Sequence, residues 1–124
     1  MEGNSRPIGV FDSGVGGLTV VAKLRMLLPH EDIIYVGDTK RNPYGTRTPA
    51  EILQYTRDIL HFMTEQKVKV VAIGCNTVTA VAYDTVVKEV DYPLIGMSRG
   101  LKTAKQISAT QKIAVFATPL TIAN

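Results

Sequence analysis

Apolar and polar positions along the chain follow two periods that take turns. Short apolar runs rich in Ile and Val lie at residues 7–11, 32–37 and 68–73. Runs of this length and composition read as strands buried in a parallel sheet. Between the first two, Leu18, Val21, Ala22, Leu24, Leu27 and Leu28 recur at helical spacing until Pro29 stops the helix. A second helix starts at Thr48, an N-cap type, with Pro49 in its first position and Glu51 as the capping-box acid. It runs to about Gln66, with Ile52, Leu53, Tyr55, Thr56, Ile59, Leu60 and Met63 on its inner face. A third helix follows Cys75 to about Glu89, a short fourth strand occupies 94–97 after Pro93, a fourth helix 100–109, and a fifth strand 112–117. Residues 118–124 open a further helix.

The alternation of strand and helix predicts an α/β fold, a parallel sheet flanked by helices on both faces. Right-handed crossovers bring the carboxyl ends of the strands to one edge, and with them the loops at Asp12, Tyr44, Cys75, Ser98 and Thr118. Open α/β sheets bind ligands at that edge, so candidate chemistry is sought there.

Cys75, the only cysteine, stands where the third strand hands over to a helix headed by Asn76 and Thr77. A thiol at a helix N-terminus sits at the positive end of the helix dipole, which favours the thiolate. The plainer reading is a small buried apolar side chain. The glycine-rich turn Asp12-Ser13-Gly14-Val15-Gly16-Gly17-Leu18-Thr19 lets the backbone turn tightly and be approached closely. It misses the dinucleotide fingerprint, because Thr19 stands at the third required glycine, although Asp38 is placed like a ribose-binding acid. No Gly-Lys-Ser/Thr follows, which excludes a P-loop. Asp12 and Ser13 read, from the residues alone, as a cap at the helix start. Tyr44-Gly45 after Pro43 reads as a turn. Met26, Met63 and Met97 read as core fillers, and Tyr35, Tyr55, Tyr83 and Tyr92 as packing residues with partnered hydroxyls.

Composition narrows the function classes. Fourteen basic and 11 acidic residues give a net charge of +3, dispersed without a basic stripe, so nucleic acid is not an expected partner. One cysteine excludes an intrachain disulfide, and His30 and His61 have no metal-ligand spacing. No apolar run reaches the roughly 18 residues of a membrane span, and the polar start at residues 1–6 is not followed by a signal-peptide core. The expectation is a cytoplasmic protein.

Several blocks together resemble one family. Ile8-Gly9-Val10-Phe11-Asp12-Ser13-Gly14-Val15-Gly16-Gly17-Leu18-Thr19-Val20 is similar to the opening signature of glutamate racemases. Asp32-Ile33-Ile34-Tyr35-Val36-Gly37-Asp38-Thr39, Asn42-Pro43-Tyr44-Gly45 and Cys75-Asn76-Thr77 resemble the blocks that follow, in matching order and spacing. The resemblance implies a two-lobed fold and a cofactor-independent interconversion of L- and D-glutamate, which supplies D-glutamate for peptidoglycan. It implies Cys75 as one of two proton-transfer thiols, and Asp12 and Ser13 as the holders of the substrate ammonium and the catalytic geometry, with Asp12 assisting proton transfer. It further implies Tyr44, Gly45, Asn76 and Thr77 as substrate contacts, with Thr118 and Thr121 as further ones. The family's second cysteine lies in a Cys-Thr-His motif beyond residue 124. The chain is therefore expected to carry the first lobe at 1–97 and the beginning of the second at 98–124. Where the family commonly has an acidic residue and proline after the fourth strand, this chain has Ser98-Arg99. Three alternatives stay open: a racemase-like module that binds a small carboxylate or a protein partner without catalysis, a homodimer that faces two copies of Cys75 across one pocket, and a nucleotide-binding half-domain.

Overall fold

The computed structural model describes residues 4–98 and 100–124. Strands β1 (Ile8–Asp12), β2 (Ile33–Gly37), β3 (Val70–Ile73) and β4 (Leu94–Ile95) form one parallel sheet in the order β2-β1-β3-β4. Ile8 pairs with Ile33 on one side and Val70 on the other, and Phe11 with Val36 and Ile73. β1 is therefore central, and all five of its residues are buried. Burial on both faces explains why its apolar residues run together instead of alternating.

Helix α1 (Leu18–Leu27) leads outward from β1 to β2, α2 (Pro49–Glu65) returns across β1 to β3, and α3 (Asn76–Val86) leads on to β4. Right-handed crossovers running in opposite directions place α1 on one face and α2 with α3 on the other. α2 and α3 pack on each other, with Arg57 paired to Glu89 at 2.6 Å across them. Their inner faces, Ile52, Thr56, Ile59, Leu60 and Met63 on α2 and Val78, Ala82 and Val86 on α3, complete the core on that side.

α2 begins as its sequence predicts. Thr48 accepts the Glu51 N–H through its hydroxyl at 3.2 Å, and Glu51 accepts the Thr48 N–H at 2.8 Å. Two donors that the first turn leaves without partners are thereby satisfied. Thr48→Ala is expected to lower stability by about 1 kcal/mol, read as a lower urea midpoint at unchanged slope.

Other expectations change. Residues 112–117 form no strand: the segment is exposed, with Phe116 at 97%. A strand needs a neighbour to take its N–H and C=O groups, and no strand of the described residues pairs with this one. β4 shortens to two residues, Leu94 and Ile95, which pair with Val71 and Ala72 of β3. The fourth helix, α4, is Leu101–Ile107, and α5 is Pro119–Ala123. Of the methionines, Met63 is fully buried, but Met26 and Met97 are 76% and 37% exposed. α1 buries none of its residues, and Leu18 and Leu27 stand exposed despite their helical spacing. Residues 1–3 and Arg99 lie outside the described residues. Among the described residues, no helix is long and apolar enough to cross a membrane.

The chain reverses its direction across the sheet between β1 and β3. Such a switch point opens a crevice at the carboxyl ends of the two strands, and those ends carry Asp12 and Cys75.

Candidate active site

The backbone brings the two strand ends together. The Gly74 N–H donates to the Phe11 carbonyl at 2.7 Å, and the Asp38 N–H to the Asp12 carbonyl at 3.0 Å. Cys75 follows as the N-cap of α3, with its carbonyl accepting both the Thr79 N–H at 3.1 Å and the Thr79 hydroxyl at 2.9 Å. The Thr79 hydroxyl in turn accepts the Met97 N–H at 3.1 Å, which ties the end of β4 to the same corner.

Asp12 is buried, and its carboxylate turns back into the glycine loop. Oδ1 accepts the Ser13 N–H and Oδ2 the Gly17 N–H, each at 2.8 Å. These bonds are local, as the cap reading anticipates, but neither residue caps α1, whose N-cap is Gly17 with no side-chain cap bond; they fix the curl of residues 13–17 instead. The curl aims Ser13 across the switch point: the Cys75 thiol donates to its hydroxyl at an Sγ–Oγ distance of 3.7 Å. Asp12, Ser13 and Cys75 thus form one cluster at the ends of two strands, joined by a contact across 62 positions of sequence.

The loop has room for this curl only because it lacks side chains. A Cβ on Gly17 would stand 2.7 Å from the Asp12 Cβ, and a Cβ on Gly37 2.4 Å from the Gly14 carbonyl oxygen. Gly37→Ala is expected to push Gly14 and the Ser13 hydroxyl away from Cys75. The measurable outcome is a loss of about 2 kcal/mol of stability, since overpacking typically costs 1–3, accompanied by an altered rate of Cys75 alkylation.

Tyr44 lies in a short 3-10 turn, Tyr44–Thr46, and is 1% exposed. Its hydroxyl donates to Asp38. Burial first, then the adjacent Asp38 carboxylate, push its phenol far above the usual tyrosine range, so it stays a neutral donor. Arg41 donates through Nε to the same Asp38 oxygen, Oδ2, at 2.6 Å, reaches Asp58 at 2.9 Å and lies 4.1 Å over the Tyr55 ring. The Tyr44 hydroxyl is thus committed to Asp38, and Gly45 lies against Thr118. Sequence reasoning singled out Asp38 but missed the Asp38–Arg41–Asp58 chain. The separation of Arg41 from Asp58 in sequence hides it.

Asn76 and Thr77 face a second part of the crevice. A cleft of about 770 Å³ is lined by these two residues together with Ser98, Phe116, Thr118 and Thr121, among others. Three hydroxyls run along it: Thr77 to Thr118 at 2.9 Å and Thr118 to Thr121 at 3.0 Å. The cleft and the Asp12–Ser13–Cys75 cluster adjoin through Cys75-Asn76-Thr77.

No family profile matches the chain. A glutamate racemase of Trichormus variabilis is 50% identical over 121 residues, which are 97% of this chain and 41% of that protein. The solved glutamate racemase of Aquifex pyrophilus superposes with a TM-score of 0.86 at 40% identity, covering 94% of this chain and 47% of that one. The chain belongs to the glutamate racemase family. The glutamate racemase of Francisella tularensis, solved in complex with D-glutamate, gives a TM-score of 0.84 at 43% identity over 96% of this chain and 45% of that one. The chain spans less than half the length of the glutamate racemases it matches.

Proposed function

We propose that this chain provides one proton-transfer half of a glutamate racemase site, with Cys75 as the thiol that serves one face of the substrate Cα. The juxtaposition of Cys75 with Ser13 and Asp12 at the switch point carries the reading. The Cys75 thiolate takes the Cα proton, and the C–H electron pair passes into the adjoining carboxylate as an enediolate-like carbanion. A proton returned to the opposite face by a second thiol gives the other enantiomer and leaves that thiol as thiolate. The resemblance implies that this second thiol belongs to the Cys-Thr-His motif of the family's second lobe, and that no cofactor takes part. In this reading residues 1–97 form the first lobe and 98–124 begin the second.

Carbanion formation at Cα needs donors aimed at the carboxylate before charge develops there. Asn76, the N–H groups at the start of α3 and the Thr77–Thr118–Thr121 hydroxyls supply them in the adjoining cleft. Asp12 and Ser13 hold the ammonium end, and Tyr44 with Gly45 borders the substrate from the loop after β2. Glutamate is the substrate in this reading, in line with the relative that binds D-glutamate.

Protection of Cys75 tests the assignment. Glutamate at millimolar concentration is expected to slow alkylation of Cys75 by iodoacetamide, followed by mass spectrometry of the intact chain, while glutarate, which lacks only the ammonium, protects less. Equal alkylation with and without glutamate would remove the reading.

A further inference from the structure

Tyr35 sits on β2 in register with Val10, two residues before Gly37. Its hydroxyl donates to the Gly14 carbonyl at 2.7 Å, across 21 residues of sequence. Its ring lies against the glycine loop on the same side: Cε2 would be 3.1 Å from a Cβ on Gly17, and Cε1 3.2 Å from one on Gly37. Burial, then the charge of Asp12, push its phenol above the usual tyrosine range, which marks how close the ring stands to that carboxylate. The loop is thus held from two directions. Asp12 grips the Ser13 and Gly17 N–H groups from within, and Tyr35 grips the Gly14 carbonyl from the β2 side.

Ser13 lies between those two grips. Its N–H belongs to Asp12, and the carbonyl of the next residue belongs to Tyr35. The backbone on both sides of Ser13 is thus held while its hydroxyl lies 3.7 Å from the Cys75 sulfur. Remove the Tyr35 bond, and Asp12 alone leaves Gly14 free to swing and Ser13 free to turn to solvent.

We propose that Tyr35 is a positioning residue for the proton-transfer thiol: through the Gly14 carbonyl it holds the Ser13 hydroxyl against Cys75. The proposal rests on the reading of Cys75 and Ser13 as one unit of the site. Its test reads the thiol rather than turnover or glutamate binding, so either can fail without the other.

The experiment is the pH dependence of Cys75 alkylation by iodoacetamide in the intact chain. It is measured for the parent, Tyr35→Phe, Ser13→Ala, the double variant, and Tyr83→Phe. Tyr35→Phe keeps the ring and removes one hydroxyl. Tyr83 donates a comparable bond to a backbone carbonyl, that of Leu94 at 3.0 Å, and so controls for general loosening. The Cys75 thiol donates to the Ser13 hydroxyl; once ionised, the sulfur can only accept, so the hydroxyl turns round to donate, and this bond to a charged group is worth more than the neutral one it replaces. Tyr35→Phe is therefore expected to slow alkylation at pH 7 by about threefold and to displace the profile to higher pH. Ser13→Ala is expected to do the same, and the double variant no more than either. Melting temperatures of Tyr35→Phe and Tyr83→Phe should fall by similar amounts. The proposal is overturned if Tyr35→Phe melts lower with an unchanged profile, if the double variant shows the sum of the two effects, or if Tyr83→Phe displaces the profile as far as Tyr35→Phe does.

Discussion

Cys75→Ala is expected to remove Cα proton exchange of glutamate while leaving the fold in place. A positioned acid or base contributes about 10²–10⁴ in rate, so exchange should drop at least about 100-fold. That corresponds to about 3 kcal/mol of transition-state stabilisation. The fold should barely respond. Cys75 is buried at 6% exposure and takes part in the core, but its side chain makes a single long bond, to Ser13. Its structural duties are carried by its backbone, whose carbonyl accepts two bonds from Thr79, and alanine keeps that backbone. Circular dichroism and an unfolding free energy in urea lowered by no more than about 1 kcal/mol would show an intact scaffold, consistent with the loss of a single small buried group. A large unfolding effect would mean that Cys75 is a packing residue first, as most buried cysteines are.

Phe11→Ala should have the largest effect on stability. Phe11 is fully buried in the central strand and pairs with Val36 on β2 and Ile73 on β3. Truncating a buried Phe costs about 3–5 kcal/mol, because the cavity collapses only in part. Against a total of about 5–15 kcal/mol for a domain, that is about a fifth of the stability or more. With a slope of about 2 kcal/mol per M, the urea midpoint should fall by about 2 M. The site should suffer with it, because the Phe11 carbonyl accepts the Gly74 N–H that sets Cys75 beside Asp12. A midpoint within about 0.25 M of the parent would mean that β1 does not anchor the sheet.

The elements written in local pattern were legible. Thr48, Pro49 and Glu51 announce the start of α2, and its buried face is the one that the period predicts. The apolar runs of β1, β2 and β3 are found with ends shifted by one or two residues. Asp12, Ser13 and Cys75 were visible as strand-end residues, and the sheet order then makes neighbours of two of those ends. Features that depend on a partner were not legible. Residues 112–117 have strand character, but a strand exists only beside another, and none of those described pairs with it. The apolar stripe of α1 has the right spacing, yet Leu27 and Met26 meet no covering element. The Tyr35–Gly14 bond joins residues 21 positions apart, and the Arg41–Asp58 pair residues 17 apart. No periodicity records such pairings; they follow from the register of β2 on β1 and from the way α2 lies over the loop.

The most direct measurement is Cα hydrogen exchange of L- and D-glutamate in D₂O by the chain, watched by NMR, beside Cys75→Ala. A chain that holds one proton-transfer thiol should exchange the Cα proton of one enantiomer without inverting it, and Cys75→Ala should abolish that exchange. Exchange that persists in Cys75→Ala, or no exchange of either enantiomer by a chain that binds glutamate, would contradict the assignment of Cys75 and leave a carboxylate-binding module in its place.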